Sequence, residues 1–181
     1  DNNILAYGGL TLAIGAVFVG VLVMLGRGHA LHWDRFVMVM VEGVAYAIAM
    51  RLLAGWVVGR MFLAAGVGDR FTGLVMSLGA GFYEEIAFRV ILFGLGAKVL
   101  LLLFPLMVPM KQKLVTLGWA VAAALIFSGW HYVGALGDPF DAKSFVFRGV
   151  CGLVFSAIYV FRGFAPAVWT HALYDIWVLV F

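Results

Sequence analysis

Charged residues are scarce in this 181-residue chain. They make up 12% of the sequence, whereas 65% of the residues are hydrophobic and the mean hydropathy is +1.10. Ordinary soluble domains have about 25% charged and ~45–50% apolar residues. A chain of this length has too little interior to bury so much apolar surface. The composition therefore excludes a soluble enzyme and a disordered chain, and it indicates a multi-pass membrane protein.

Other features are also missing. Cysteine occurs once, as Cys151, so an intrachain disulfide and hence a disulfide-stabilised secreted scaffold are excluded. No Lys/Arg cluster is long enough for a nucleic-acid patch, and the net charge of +3 fits basic loops facing anionic lipid headgroups. The sequence has neither a glycine-rich phosphate loop nor a His-Glu-x-x-His zinc motif. Because it begins with Asp1 and not with methionine, we expect a fragment or a processed chain.

Long apolar runs predict the fold. A transmembrane helix needs about 20 apolar residues, and six runs approach or exceed that length, at 4–25, 36–62, 71–110, 114–136, 145–161 and 167–181. They are too long and too little alternated for barrel strands. We therefore predict one integral membrane domain over residues 1–181, an all-α transmembrane helical bundle of six spans around a polar cavity.

The run at 71–110 is too long for one crossing. As a single helix it would extend ~60 Å, twice the thickness of the hydrocarbon core. We expect it to break at the Gly79-Ala80-Gly81 stretch, because glycine loses most on being held helical. If the break separates two crossings, the bundle has seven spans. Pro105 and Pro109 are expected to mark the end of the run.

Three short polar clusters lie inside apolar runs, where each ionisable group costs roughly 2.5–3.5 kcal/mol. The first is Glu84-Glu85-Ile-Ala-Phe-Arg89. Glu85 and Arg89 are four residues apart and can pair along one helix face. Glu84 points ~100° away from Glu85, so it stays free of that pair and is a candidate general base.

The second cluster, 127–131, reads FSGWH, and the third, 171–175, reads HALYD. In each cluster the i,i+4 spacing puts the two end residues on one helix face. A single buried Glu-Arg pair or histidine is often only structural, and Ser128 is expected to bond its own backbone one turn back. Glu42 is expected to make a structural hydrogen bond, while the arginines at 51, 148 and 162 are expected to snorkel or anchor helix ends. The joint occurrence of the three clusters on separate helices favours an active site.

A hairpin of 82–110 with 114–136 supports this interpretation. Glu84 and His131 meet in such a hairpin if the turn lies midway, at about 107–108, beside the two prolines. Glutamate with histidine can deprotonate a water, and histidine can donate hydrogen bonds to a carbonyl oxygen that gains charge. The set therefore suits amide hydrolysis. Two histidines and a glutamate would also be sufficient ligands for Zn²⁺, so a zinc-dependent route stays open.

The three motifs resemble the CAAX protease and bacteriocin-processing family, which includes the type II CAAX prenyl endopeptidases. The family pattern is Glu-Glu-x-x-x-Arg, then Phe-x-x-x-His, then His-x-x-x-Asn/Asp, in that order. The sequence matches it with EEIAFR at 84–89, FSGWH at 127–131 and HALYD at 171–175. The resemblance covers about 71–181, and residues 1–70 match only as two preceding hydrophobic helices.

The resemblance implies glutamate-dependent intramembrane proteolysis in a water-accessible cavity, with no cofactor. Glu84 would be the general base, and His131 would help to hold the attacking water. His171 and Asp175 would lie on the oxyanion side, and Glu85 with Arg89 would orient the site. Asp175 stands where the prenyl endopeptidases have asparagine; an ionised Asp donates no hydrogen bond, so it would orient His171 or be protonated.

The resemblance also implies the partners and the location. The substrate would be a protein or peptide with a C-terminal lipid-modified or transmembrane segment, cleaved near its C-terminus or membrane anchor. The partners would be that substrate and membrane lipid, with no nucleic acid, in a prokaryotic cell (inner) membrane. Besides the zinc-dependent protease, the remaining alternative is a non-catalytic immunity or scaffold protein in which the polar clusters only hold helices together.

Overall fold

A computed structural model of the chain describes residues 4–26, 32–59, 70–105, 108–134 and 137–181. In these ranges the chain forms helices and no strand, which confirms the predicted all-α bundle. An 11-residue π-helical stretch, called the π segment below, follows the third α-helix directly. The elements are α1 Ile4–Leu25, α2 Trp33–Val58, α3 Arg70–Glu84, the π segment Glu85–Leu95, α4 Gly96–Leu103, α5 Pro109–Trp130, α6 Ala142–Arg162 and α7 Phe164–Leu179.

Four helical stretches of the described chain are long and apolar enough to cross a membrane. They are α2, the helix formed by α3 with the π segment and α4, then α5 and α6. Many large apolar side chains on these helices are exposed, as a lipid-facing surface requires. The predicted number of six or seven spans stays a prediction. The ends of the predicted second and fourth spans, at 60–62 and 135–136, lie outside the described residues.

The predicted break at Gly79-Ala80-Gly81 is wrong. The helix runs unbroken over 34 residues from Arg70 to Leu103, and it ends two residues before Pro105. Gly79 and Gly81 are buried contact points between helices. A Cβ on Gly81 would lie 2.8 Å from the backbone nitrogen of Ala172 in α7, and one on Gly79 would overlap the Tyr7 ring of α1. These glycines therefore allow close helix packing, as small residues do in membranes.

Local sequence explains where the later helices begin and end. Pro109 is the first residue of α5, where its missing N–H costs nothing. Asp141 caps α6 by accepting a hydrogen bond from the Ser144 backbone N–H at 2.7 Å. Gly163 alone separates α6 from α7, and its φ of +95° is a conformation that favours glycine. The tight turn makes α6 and α7 neighbours.

Helix α7 packs against both α2 and α3, while α5 packs against α6. One cluster of buried side chains fills the space between α2, the π segment, α5 and α6, and it comprises Met50, Ala54, Phe88, Phe127, Phe147, Cys151 and Phe155. Cys151 is a free, buried thiol in this cluster. The polar clusters of the sequence border this core.

The isolated charges on α2 have structural partners. Glu42 accepts two hydrogen bonds from Arg162 of α6, at 2.5 and 3.0 Å, and one from Tyr46 at 2.5 Å. This agrees with the hydrogen-bonding role predicted for Glu42. Arg51 is buried, and its guanidinium lies 4.6 Å from the centre of the Trp177 ring in α7. The prediction that Arg51 snorkels or anchors a helix end is therefore wrong, because the indole of a neighbouring helix covers its charge.

Candidate active site

The two adjacent glutamates lie where α3 passes into the π segment. Local π-helical geometry is uncommon and frequently occurs at functional sites. Glu85 is fully buried, whereas the Glu84 side chain is 23% exposed and lines a cavity. The neighbouring carboxylates therefore point to different surroundings, as the sequence predicted.

Glu85 connects the first motif with the third. Its Oε2 lies 3.2 Å from Arg89 Nε, which confirms the predicted i,i+4 contact. Its Oε1 accepts a hydrogen bond of 2.8 Å from His171 Nδ1 in α7. Both contacts are buried, so they hold the π segment and α7 in a fixed relation.

Two aromatic faces cover the Arg89 guanidinium, which is 1% exposed. Its central carbon lies 4.3 Å from the centre of the Phe127 ring and 4.9 Å from that of Phe155. A buried cation needs an opposite charge or a comparable electrostatic partner. Arg89 has both, because Glu85 supplies the charge and the ring faces supply cation–π attraction.

His131 directly follows the last residue of α5. Its Nδ1–H donates to the Phe127 carbonyl at 3.0 Å, and its ring lies edge-on to the Phe127 ring. This bond leaves Nε2 as the nitrogen that faces Glu84, with 3.9 Å between Nε2 and Glu84 Oε2. The predicted approach of Glu84 and His131 across a hairpin is therefore confirmed.

His171 is buried in α7 and stacks on Phe155, with ring centres 4.5 Å apart. Its Nε2 lies 3.4 Å from Asp175 Oδ2 and 3.9 Å from Glu84 Oε2. With Nδ1 bound to Glu85, both ring nitrogens face carboxylate oxygens. Ionised carboxylates only accept hydrogen bonds. The contacts therefore favour a doubly protonated His171, or a neutral imidazole beside a protonated acid.

The structure brings all six predicted site residues together. Glu84 Oε2 is the common point, 3.9 Å from the Nε2 atoms of both His131 and His171. Two groups that bind the same water lie up to about 5–6 Å apart, because each hydrogen bond spans ~2.7–3.0 Å. Both separations lie within this range, and Glu84 Oε2 is shielded from solvent and has no hydrogen-bond partner among the described residues.

A cavity of about 400 Å³ opens onto these groups. Its polar lining includes Glu84, His131, His171 and Asp175, and its apolar lining comes from α3, α5, α6 and α7. The volume is in the range of small-ligand sites and accommodates a short peptide segment. Within the described ranges, no three His, Cys, Asp or Glu side chains are arranged to hold a metal ion.

The prediction for Ser128 of α5 is wrong. Ser128 does not bond its own helix; it is fully buried and donates to the Phe145 carbonyl of α6 at 2.6 Å. Arg148, predicted to snorkel or to anchor a helix end, lines the cavity and binds Asp138 at 2.6 Å. Ser144, Phe147 and Arg148 are spaced i, i+3, i+4, so they lie on one face of α6, the face that borders the cavity. This spacing is the feature of the sequence that could have indicated the position of Arg148.

Comparison with models of known protein families assigns the chain to a family. The sequence model of the type II CAAX prenyl endopeptidase Rce1-like family matches residues 66–177, more than half of the chain, and includes all three motifs. No curated protein and no solved structure matches the chain. Members of this family are membrane proteases. The chain belongs to the type II CAAX prenyl endopeptidase Rce1-like family.

Proposed function

We propose that the chain is a glutamate-dependent intramembrane endopeptidase that uses no metal. The observation that carries the proposal is the position of Glu84 Oε2, 3.9 Å from the Nε2 atoms of both histidines at the wall of the cavity. A carboxylate beside an imidazole is a suitable pair for activating water. The family membership supports peptide hydrolysis as the reaction.

Glu84 acts as the general base in this proposal. A water bound between Glu84 and His131 gives one hydrogen to the carboxylate and directs the other to the free Nε2 of His131. The His131 Nδ1 bond to the Phe127 carbonyl fixes the tautomer that leaves Nε2 free to accept. As the water oxygen bonds to the scissile carbonyl carbon, its proton passes to Glu84 and the carbonyl oxygen becomes an oxyanion.

His171 is the group best suited to stabilise the oxyanion. Its Nε2–H lies on the side of Glu84, and Glu85 holds the opposite ring nitrogen. Asp175 Oδ2 lies 3.4 Å from the same nitrogen and orients the ring by its charge, which leaves the Nε2–H for the oxyanion. An ionised Asp175 cannot itself donate to the oxyanion. Glu84 then gives its proton to the leaving nitrogen, the C–N bond breaks, and the carboxylate is restored.

Glu85 and Arg89 act as positioning residues. They face each other and the aromatic core rather than the cavity, and Glu85 reaches the reacting groups only through His171. We expect them to fix the orientation of the His171 ring. Preorganised donors of this kind contribute to catalysis because they need no rearrangement in the transition state.

The proposed substrate is a membrane-associated protein with a lipid-modified or transmembrane C-terminal segment, cleaved near its C-terminus or membrane anchor. The family name supports a C-terminal substrate segment, and the lipid-facing bundle supports cleavage in the bilayer. We propose a prokaryotic cell membrane as the location.

The test compares wild type with Glu84→Gln by co-expression with membrane-anchored proteins and mass spectrometry of their C-terminal peptides. We expect Glu84→Gln to reduce cleavage at least ~100-fold, because the amide cannot take the proton of the water. Glu42→Gln is the matched control, because it makes the same change at a glutamate that binds Arg162.

The alternatives give different results. Wild-type rates in Glu84→Gln would rule out the assigned base. A non-catalytic scaffold predicts that substitutions at Glu84, His131 and His171 lower function only in proportion to thermal stability. We expect Glu84→Gln to lose cleavage while its melting temperature in detergent stays close to that of the wild type.

A further inference from the structure

The backbone bonding of the π segment changes where the segment ends. In an α-helix the Gly96 N–H would bond the Leu92 carbonyl, four residues earlier. Here it bonds the carbonyls of Ile91 and Phe93 instead and passes over Leu92. A passed-over carbonyl is expected where i→i+5 bonding returns to i→i+4 bonding. Inside a membrane such a carbonyl needs a donor from within the protein, because lipid supplies none.

Trp119 of α5 supplies this donor. Its indole Nε1–H donates to the Leu92 carbonyl at 2.8 Å. Gly96 provides the space for the ring, because a Cβ at that position would lie 2.6 Å from the indole nitrogen. The side chain and the glycine therefore fit together at the end of the π segment and connect it to α5.

A second helix packs closely against the same end. A Cβ on Gly94 would lie 3.2 Å from the Tyr159 hydroxyl of α6 and 3.0 Å from the Arg89 carbonyl, five residues earlier in the π segment. The backbone therefore passes α6 with little room for a side chain. Contacts with α5 and α6 together fix the position at which the i→i+5 bonding ends.

The opposite end of the π segment belongs to the candidate active site. Glu85 is its first residue; it is in contact with Arg89 and accepts the hydrogen bond of His171. If the end of the i→i+5 bonding moved along the helix, each residue that it passed would shift by one position in the hydrogen-bond ladder. That shift turns a side chain by about 100°. Arg89 therefore keeps its direction only while the change in bonding stays beyond it.

We propose that Trp119 is a positioning residue, whose indole N–H fixes the end of the π segment at Leu92 and thereby holds Arg89 and Glu85 in place beside His171. This inference rests on the proposed function and adds a residue to its machinery. Trp119 is outside the set of described residues that line the cavity, so it acts through the π segment and not on the substrate.

The experiment removes the indole N–H and keeps the shape of the ring. Trp119 is replaced by 3-benzothienylalanine, which has sulfur in place of the N–H, and a peptide ending in an S-farnesylated Cys-a-a-Met sequence is the probe. We expect kcat per folded protein to fall at least ~10-fold while KM stays within ~2-fold, because misplaced groups slow the chemical step more than binding. Wild-type kcat in this variant would reduce Trp119 to a packing residue and overturn the inference.

Two further variants complete the comparison. The same replacement at Trp56, which is 80% exposed on α2, is the matched control and should leave kcat unchanged. Gly96→Ala changes the contact from the other side, because its methyl group displaces the indole. It should also lower kcat more than it raises KM. Wild-type kcat in Gly96→Ala would contradict the assigned contact.

NMR separates this inference from the proposed function. The Nδ1–H of His171, bonded to a buried carboxylate, should give a separate downfield proton signal in ¹⁵N-histidine-labelled protein, assigned by its absence in His171→Gln. We expect the signal to shift or disappear in the Trp119 analogue and to persist in the Trp56 control. An unchanged signal in the Trp119 analogue, or no such signal in wild type, would overturn the inference. If no peptide is cleaved in a Glu84-dependent manner, the proposed function fails, while this signal still tests the positioning.

Discussion

His171 Nδ1 donates a 2.8 Å hydrogen bond to Glu85 Oε1 across 86 residues of sequence. The bond joins α7 to the π segment, and the second oxygen of Glu85 is in contact with Arg89. Glu84, the preceding residue, lies farther from both His171 and Arg89 and faces the cavity. Two adjacent residues of one type therefore have different surroundings, and their substitutions should have different effects.

Glu85→Ala should destabilise the fold far more than Glu84→Ala. Removing Glu85 leaves Arg89 buried without its opposite charge, which costs about 3–5 kcal/mol for a buried pair. We expect Glu84→Ala to cost less than about 1 kcal/mol, because Glu84 is partly exposed to the cavity. Denaturation of both variants in detergent micelles measures the difference. Equal losses would contradict the separate roles.

Asp175→Asn should retain more activity than Asp175→Ala. Asparagine keeps an oxygen beside His171 Nε2, whereas alanine leaves the ring without this contact. We expect the asparagine variant to stay within ~10-fold of wild type and the alanine variant to lose ~100-fold, as a misplaced catalytic group does. Peptide cleavage at matched folded concentrations measures both. Equal activity in the two variants would show that Asp175 does not orient His171.

Gly81→Ala should separate α3 from α7 beside the site. The new methyl group would lie 2.8 Å from the backbone nitrogen of Ala172, the residue after His171. Such overpacking costs about 1–3 kcal/mol, and cleavage should fall with the displaced imidazole. Gly118→Ala in α5 is the control, because nothing lies within 4 Å of its added Cβ. It should raise stability by about 0.5–1 kcal/mol and leave cleavage unchanged.

Metal removal should leave the activity intact. If Glu84 is the base and no zinc takes part, chelation by EDTA or 1,10-phenanthroline will not alter the cleavage rate. Elemental analysis of purified, active protein should find far less than one zinc per chain. Loss of cleavage on chelation, restored by added Zn²⁺, would instead favour the zinc-dependent alternative.

Two contacts of the polar motifs, Glu85 with Arg89 and Glu84 with His131, could be predicted because regular helix spacing determines them. The i,i+4 rule gave the Glu85–Arg89 contact, and equal distances from a proline-marked turn gave the approach of Glu84 to His131. The hairpin helices end at Leu103 and begin at Pro109, on either side of the predicted midpoint.

Long-range packing explains what the sequence did not reveal. The glycines at 79 and 81 do not interrupt the helix, because contacts with Tyr7 and Ala172 make close approach favourable there. Local propensity contains no information about these distant neighbours. The position of Arg148 likewise depends on Asp138 and on the side of α6 that meets the cavity.

Phe127 borders the supporting cation and both histidines at once. Its ring centre lies 4.3 Å from the Arg89 guanidinium carbon, 5.1 Å from the His131 ring and 6.0 Å from the His171 ring. A smaller side chain there would loosen all three neighbours together, so double-mutant cycles through Phe127 should be strongly non-additive. Replacement of this ring during divergence would require concerted changes in two other helices, which makes stepwise evolution at the position difficult.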